Sequence, residues 1–433
     1  MSYLQKLYNR YASGWNPFVE AFDDGDSYRF ILKNRFTGFS KSIIFDKNDR
    51  YSGGTRRWVA SENLLEEELN FNQPTEPQVN LDTITSNYSS VDGYGEVDIE
   101  AAIEYVTGVD LPSQAPVEDA FGRDDLYGLD RIGAPEAWAA GYTGEGIIIA
   151  VIDTGIDSDH SELDDNIWVN EDEIPNNGID DDGNGYIDDH RGWNFFNETP
   201  DIEDSGDHGS HVAGTIAGEV GGRVQGVAYN ATIMPLKVFP ASGGATVEDI
   251  AQAVYYATNN GAHIINMSLG IRQPEETVNP IIWQSLRDAM KYANDNGVIV
   301  VSAAGNDQFQ SPAVPGAYAV ESGIVVGAVD ETGDLDQNYS NKAGGAKDYE
   351  GDGADLPLYV SASGTRIWST VPGDQVAIKN GTSMASPHVA AAIALLLEAD
   401  PTLTPDQVRV VLANTTRWVY NWGATHPLFH AST

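Results

Sequence analysis

Two runs of β-branched residues constrain this chain more than any other part of its 433 residues. IIIAVIDTGID, residues 147–157, and VIVVSAAGNDQ, residues 298–308, are continuous apolar stretches, not alternating ones. Strands that read this way are buried on both faces, as parallel strands are when helices cover the sheet above and below. Each run delivers a polar side chain at its end, Asp153 in the first and Asn306 in the second. The carboxyl edge of an open α/β sheet is where such folds build their sites. Beyond about residue 121, apolar strands alternate with helical stretches, the βα rhythm of a mostly parallel sheet with helices on both faces. The fold class expected is α/β, preceded by a small α+β domain.

Two further motifs carry groups that cooperate with such an edge. NGTSMASPH, residues 380–388, sets Ser383 at a glycine-led turn directly before the apolar helix VAAAIALLLEA. A hydroxyl there lies near unpaired backbone N–H groups and the positive end of the helix dipole, which stabilise a developing oxyanion. DHGSHVAGTIAG, residues 207–218, reads as a helix start with His208 in its first turn; Gly209, Ala213, Gly214 and Ala217 are small enough for close packing on a sheet. Serine is a weak nucleophile until a base takes its proton, and neutral imidazole is the usual base near pH 7. A carboxylate such as Asp153 can hold that imidazole in the right tautomer, and an amide such as Asn306 can donate to the oxyanion. His208 and His211 lie three apart on one helical face and could instead form a metal pair, although no third ligand accompanies them. His388 reads as a buried packing residue.

Asp153, His208, Asn306 and Ser383, in that chain order and with those flanks, resemble the subtilisin-like serine proteases, a familiar example of the order Asp, His, Ser. The resemblance covers about residues 125–415 and includes GLDRIGAPEAW, INMSLG and LTPDQVRVVLAN. It implies an endopeptidase working through an acyl-enzyme on a polypeptide substrate. Ser383 is then the nucleophile, His208 the base and Asp153 its orienting carboxylate, while Asn306 and the Ser383 backbone N–H hold the oxyanion. Substrate backbone is expected to pair as a strand beside Gly243, Gly244, Ser268, Leu269 and Gly270. Ala303, Ala304, Gly305 and Ala313 are expected to line an apolar pocket, and Val314–Pro315 to be a cis bond. The chain departs from the family pattern at Ser210, where threonine is usual, and at Ala391, where glycine is usual. Residues 217–228 also lack the asparagines with which many relatives bind calcium. A protease dedicated to maturing one partner protein, and a silent scaffold, are the alternative readings.

Composition removes other classes. A net charge of −41, from 24 basic against 65 acidic residues, argues against nucleic acid as a partner. No apolar run reaches the roughly 18 residues of a membrane helix, so no membrane is expected, and a monomer is. The first twenty residues hold no signal-type apolar region; the location is left open, with the acidity suiting extracellular use. The absence of cysteine excludes disulfides and a thiol nucleophile.

Residues 1–72 read as the small α+β domain, with strands at YRFILKN and KSIIF and a helix around RRWVASENLLEEELNF. Residues 73–120 read as a linker and processing region that includes a helical pattern, VDIEAAIEYVTG. Residues 121–433 form the catalytic domain. The first domain is expected to be a prodomain released by a cut between roughly Gly108 and Arg123, with a permanent accessory domain as the alternative.

An acidic insertion, residues 157–204, lengthens the spacing between Asp153 and His208. Residues 157–189 hold thirteen Asp or Glu and no Lys or Arg. Asp180, Asp182 and Asn184 alternate as in the first half of an EF-hand loop, with Tyr186 and Asp188 at later ligand positions, but Arg191 stands where the closing Glu belongs. A structural calcium ion is expected on these five residues, because so many nearby carboxylates repel one another without a cation. Trp168, Tyr186, Trp193, Phe195 and Phe196 are expected to pack the loop.

Overall fold

The structure, a computed structural model, describes three strands within residues 18–46 and residues 81–417, apart from 82, 116, 118–125, 241–242, 271–282, 320–321 and 346–356. The chain divides into two compact units, Met1–Gln78 and Val79–Thr433.

In the first unit, β1 (Phe18–Asp23), β2 (Ser27–Lys33) and β3 (Ser40–Asp46) form an antiparallel sheet in chain order. The two strands expected at YRFILKN and KSIIF are β2 and β3, paired with Tyr28 opposite Phe45. β1 has no counterpart in the sequence reading, and the helix expected around residues 56–71 lies outside the described residues.

The second unit runs α1 (Ile99–Thr107), α2 (Tyr127–Ile132), α3 (Ala134–Ala139), β4 (Ile148–Asp153), β5 (Trp193–Asn194), α4 (His208–Ala217), β6 (Thr232–Lys237), α5 (Val247–Asn259), β7 (Ile264–Met267), α6 (Gln284–Asp295), β8 (Ile299–Ala303), β9 (Ile324–Val329), β10 (Leu358–Ser363), β11 (Ile367–Val371), β12 (Gln375–Lys379), α7 (Thr382–Ala399) and α8 (Pro405–Thr415). Seven strands make one parallel sheet in the order β10-β9-β8-β7-β4-β6-β5. The β-branched runs behave as their composition requires: β8 is buried throughout and β4 from its second residue on. One apolar layer joins the sheet to α1, α4, α7 and α8. The other joins it to α5, α6 and aromatic residues of the insertion. From β4 the chain proceeds to β5 and β6 on one side of it, then to β7 and onward on the other. That reversal leaves a crevice at the carboxyl ends of β4 and β7, the usual site of such sheets.

Helix α7 crosses the core, with 15 of its 18 residues buried. It is long and apolar enough to cross a membrane, yet 83% of it is buried inside the protein, as a helix apolar on every face must be in a large core. Pro387 within it has no N–H for the Ser383 carbonyl one turn back. The Ser268 hydroxyl donates to that carbonyl instead, at 2.9 Å.

Part of the span expected as a linker, residues 73–120, packs into the second unit. The units divide after Gln78, and residues 94–97 lie along the outer edge of β10. There Tyr94 N–H donates to the Tyr359 carbonyl at 2.9 Å, Ser361 N–H to Gly95 at 2.8 Å and Val97 N–H to Ser361 at 2.9 Å. Glu96 also bridges Arg417 on its other side and pairs with the Arg131 guanidinium through both oxygens. Helix α1 follows, capped by the Asp98 side chain, with Ile99, Ala102 and Ile103 fully buried in the core layer. The segment covers a sheet edge that would otherwise present unpaired N–H and C=O groups.

Candidate active site

Asp153 ends β4 with its carboxylate almost wholly buried. His208 Nδ1 donates to both of its oxygens, at 2.8 and 3.0 Å, and the Thr154 N–H adds a bond of 2.7 Å. A proton held on Nδ1 leaves Nε2 as the basic nitrogen. The close approach of α4 to the β4 turn depends on Gly209, because a Cβ there would lie 2.0 Å from the Gly155 carbonyl oxygen. Asp204, which the sequence reading did not single out, braces this junction. It accepts from Thr154 Oγ1 at 2.8 Å and from Ser210 N and Oγ at 2.9 and 2.7 Å. Thr154 Oγ1 in turn accepts from Gly209 N at 2.9 Å. Ser210, although not the family's threonine, keeps the hydroxyl this network uses.

Burial is the largest single influence on His208 and pulls its pKa down. The Asp153 charge and hydrogen bond, helped by Asp204 and opposed by Lys379, together raise it above the ordinary imidazole value. His211 is not its metal partner. Its Nε2 donates to the Ile367 and Ala377 carbonyls at 3.1 and 3.2 Å, and burial pushes its pKa down to about 3. His388 is the packing residue expected: buried, bonded through Nδ1 to the Met384 carbonyl at 2.8 Å, with its pKa pushed down by burial to about 4.

Ser383 sits in the first turn of α7, half-buried, after Gly381 at φ 153°. Its Oγ donates to the Ser268 carbonyl at 3.2 Å. Among the described hydrogen bonds, none joins that oxygen to His208. Asn306 is anchored by Thr382, whose N–H and Oγ1 reach the Asn306 Oδ1 at 2.9 and 3.0 Å. Because a backbone N–H only donates, the oxygen of this amide must face Thr382, and Nδ2 is the end left for a ligand. Thr382 Oγ1 also accepts from Gly305 N at 3.0 Å. Thr382 therefore positions the amide, a role its place beside Ser383 could have suggested.

Ser383 and Asn306 share a cleft with Leu269, Gly270, Ala303, Gly305, Asp307, Ala313 and Thr382, with about 70 Å³ of free volume. Five of the nine residues expected for substrate binding line it: Leu269, Gly270, Ala303, Gly305 and Ala313. Ala304 does not; it is buried behind the wall, its carbonyl accepting from Ala313 N and Asn341 Nδ2. Ser268 is likewise buried and touches Ser383 rather than the open cleft. Gly243 and Gly244 are exposed ahead of α5 and are not part of the lining. Asp307, the one charged residue of the lining, was not singled out in the sequence, although it follows Asn306 directly. The Val314–Pro315 bond is cis, as the resemblance implied.

Of the five residues expected to hold calcium, Asp180 and Asp182 come together at the Asn184 amide, whose N–H donates to Oδ1 of each at 3.0 and 2.9 Å. Asp180 also accepts from the Gly183 and Gly185 amides, while Asp188 accepts from Asn177 and Gly178. Asp182 also lies near Glu173 and Asp189, three carboxylate oxygens within 4.8 Å of one another. Of the expected aromatic packing, Tyr186 meets Trp193, Phe195 and Tyr256 of α5 edge-on, and Tyr256 also meets Phe195 and Trp168. Phe196 is exposed.

A doubly wound sheet with a carboxylate–imidazole pair and a helix-start serine at its carboxyl edge defines an α/β protein of the serine-hydrolase kind. The chain belongs to the Subtilase family, whose model matches residues 144–430. It is 38% identical over 292 residues to an alkaline protease of Alkalihalobacillus alcalophilus, an alignment covering 67% of this chain and 64% of that relative's length. It is 37% identical over 292 residues to Subtilisin Savinase of Lederbergia lenta, covering 67% and 90%. Against Subtilisin E of Bacillus subtilis the identity is 33% over 320 residues, covering 72% of each.

Proposed function

We propose that the protein is a serine endopeptidase that hydrolyses peptide bonds through an acyl-enzyme, with Asp153, His208 and Ser383 as its triad. One observation carries the reading: the buried Asp153 carboxylate fixes Nδ1 of His208 at the same sheet edge that holds Ser383. An extended substrate adds as a strand along Gly243–Gly244 and Ser268–Gly270. Its side chain before the cleaved bond enters the cleft of Ala303, Gly305 and Ala313, whose small, mostly apolar lining favours apolar groups of modest size. Ser383 Oγ then turns from the Ser268 carbonyl, passes its proton to His208 Nε2 and bonds to the substrate carbonyl carbon. Contacts of this kind are often loose without substrate and tighten in the complex. Asn306 Nδ2 and the Ser383 N–H hold the oxyanion. His208 gives its proton to the departing amine, and water repeats the sequence to free the acid. Use outside the cell belongs to the same proposal, from the acidity of the chain.

Casein hydrolysis tests it. The wild-type chain should cleave casein, and Ser383→Ala should not, while melting at the same temperature. Retained hydrolysis by Ser383→Ala would refute the assignment.

A further inference from the structure

Asn341 is fully buried and does not line the cleft, yet it binds the turn that carries Asn306 on both sides of that residue. Its Oδ1 accepts from the Asp307 and Phe309 amides, both at 2.9 Å. Its Nδ2 donates to the Ala304 carbonyl and its backbone N–H to the Gly305 carbonyl, each at 3.0 Å. A backbone N–H only donates and a carbonyl only accepts, so the Asn341 amide has a single orientation here. Asparagine suits the place because one planar group supplies an acceptor for the residues after Asn306 and a donor for those before it. The fit is close: Gly305 sits at φ 100°, and a Cβ there would lie 2.5 Å from Asn341 Nδ2. Asn341 is itself held from behind. The Tyr359 hydroxyl of β10 donates to its carbonyl at 2.6 Å, and the Ala343 and Gly344 amides donate to the Val91 and Ser90 carbonyls at 3.1 and 3.0 Å.

We propose that Asn341 is a positioning residue for the oxyanion donor: it fixes the backbone from which the Asn306 amide hangs, as Thr382 fixes the amide's oxygen. The proposal rests on the peptidase reading given above. β8 ends at Ala303, so the turn beyond it has left the regular strand ladder, and the Asn341 amide stands in for the partners a neighbouring strand would supply. A donor aimed at a developing oxyanion works only when it is held in place beforehand. Productive geometry tolerates about 0.5 Å of displacement, and a misplacement of about 1 Å can cost on the order of 10²-fold in rate. Thr382 alone leaves the turn free to shift about the held oxygen. With Asn341 bound to the peptide groups on either side, Asn306 Nδ2 has one position relative to Ser383.

The test is a double-mutant cycle in the full chain, read as kcat and KM for a peptide p-nitroanilide well below the melting temperature of every variant. Asn341→Leu keeps the side-chain volume and removes its hydrogen bonds. It should lower kcat about tenfold or more while changing KM little. In an Asn306→Leu background, where the donor is already gone, the same substitution should cost about twofold at most, because both residues act through one group. Asn341→Ser carries the same comparison should Asn341→Leu not fold. Parental kcat in the folded variant would overturn the proposal. So would an equal fold-loss with and without Asn306, which would make Asn341 a residue of stability only. A wild-type chain that leaves the peptide uncut would fail the peptidase reading itself, and this proposal with it; an active wild type with additive losses would fail this proposal alone.

Discussion

Asp153 offers both carboxylate oxygens to one imidazole N–H, and this sharing sets how the base titrates. His208 works as a base only when neutral, so kcat/KM should rise with pH through its pKa. With that pKa raised, above all by the Asp153 charge against the opposing effect of burial, the acid limb should have its midpoint above the ordinary imidazole value of about 6.5. Asp153→Asn should move the limb to lower pH and reduce turnover by a factor on the order of 10⁴, since the amide cannot hold the same tautomer. A pH–rate profile of the two enzymes checks this; an unmoved limb would remove Asp153 from contact with the base. At Asn306 the amide orientation is fixed by Thr382, so Asn306→Leu should cost roughly 10²–10³ in kcat through one lost oxyanion donor and also lower the melting temperature, because the buried Thr382 N–H loses its acceptor. Kinetics near wild type in that variant would place the oxyanion elsewhere.

Among the elements, α1 and the strand-like residues before it change the expected course of maturation. Ile99, Ala102 and Ile103 recur at the spacing of one helical face, and the sequence reading recovered this helix to within two residues of its ends. What it could not recover was that this face is buried against α7 and α8. The polar residues on both flanks give the composition of a linker, and the contacts lie nearly three hundred residues away. A cut between Gly108 and Arg123 would leave residues 83–107 attached only through noncovalent packing. If the first unit is removed as a propeptide, the cut should therefore fall upstream of this segment, near the division after Gln78. N-terminal sequencing of the matured protein decides this, and a mature start between Gly108 and Arg123 with residues 83–107 lost would contradict it. Truncation at the core has a comparable signature: Ile103, fully buried, should cost roughly 2–5 kcal/mol of stability as Ile103→Ala, measured by denaturant unfolding.

Across the whole molecule, the sheet and its carboxyl edge were legible because strand burial is written locally. β4 and β8 are rich in β-branched residues, the first ending at Asp153 and the second leading within three residues to Asn306. Ser383 and His208 were legible from helix starts rich in small residues. The cleft was only partly so, because Ala304 and Ala303 alternate across one strand end and composition does not say which faces substrate. The grouping of Asp182 with Glu173 and Asp189 was not legible, because those carboxylates meet only through the fold of the insertion. All of these parts converge on one claim, that Ser383 is an activated nucleophile. Labelling of the full chain with diisopropyl fluorophosphate, located by peptide mass spectrometry, tests it most directly. The expected result is a single adduct on Ser383 that is lost in His208→Ala; no adduct, or one on another serine, would contradict it.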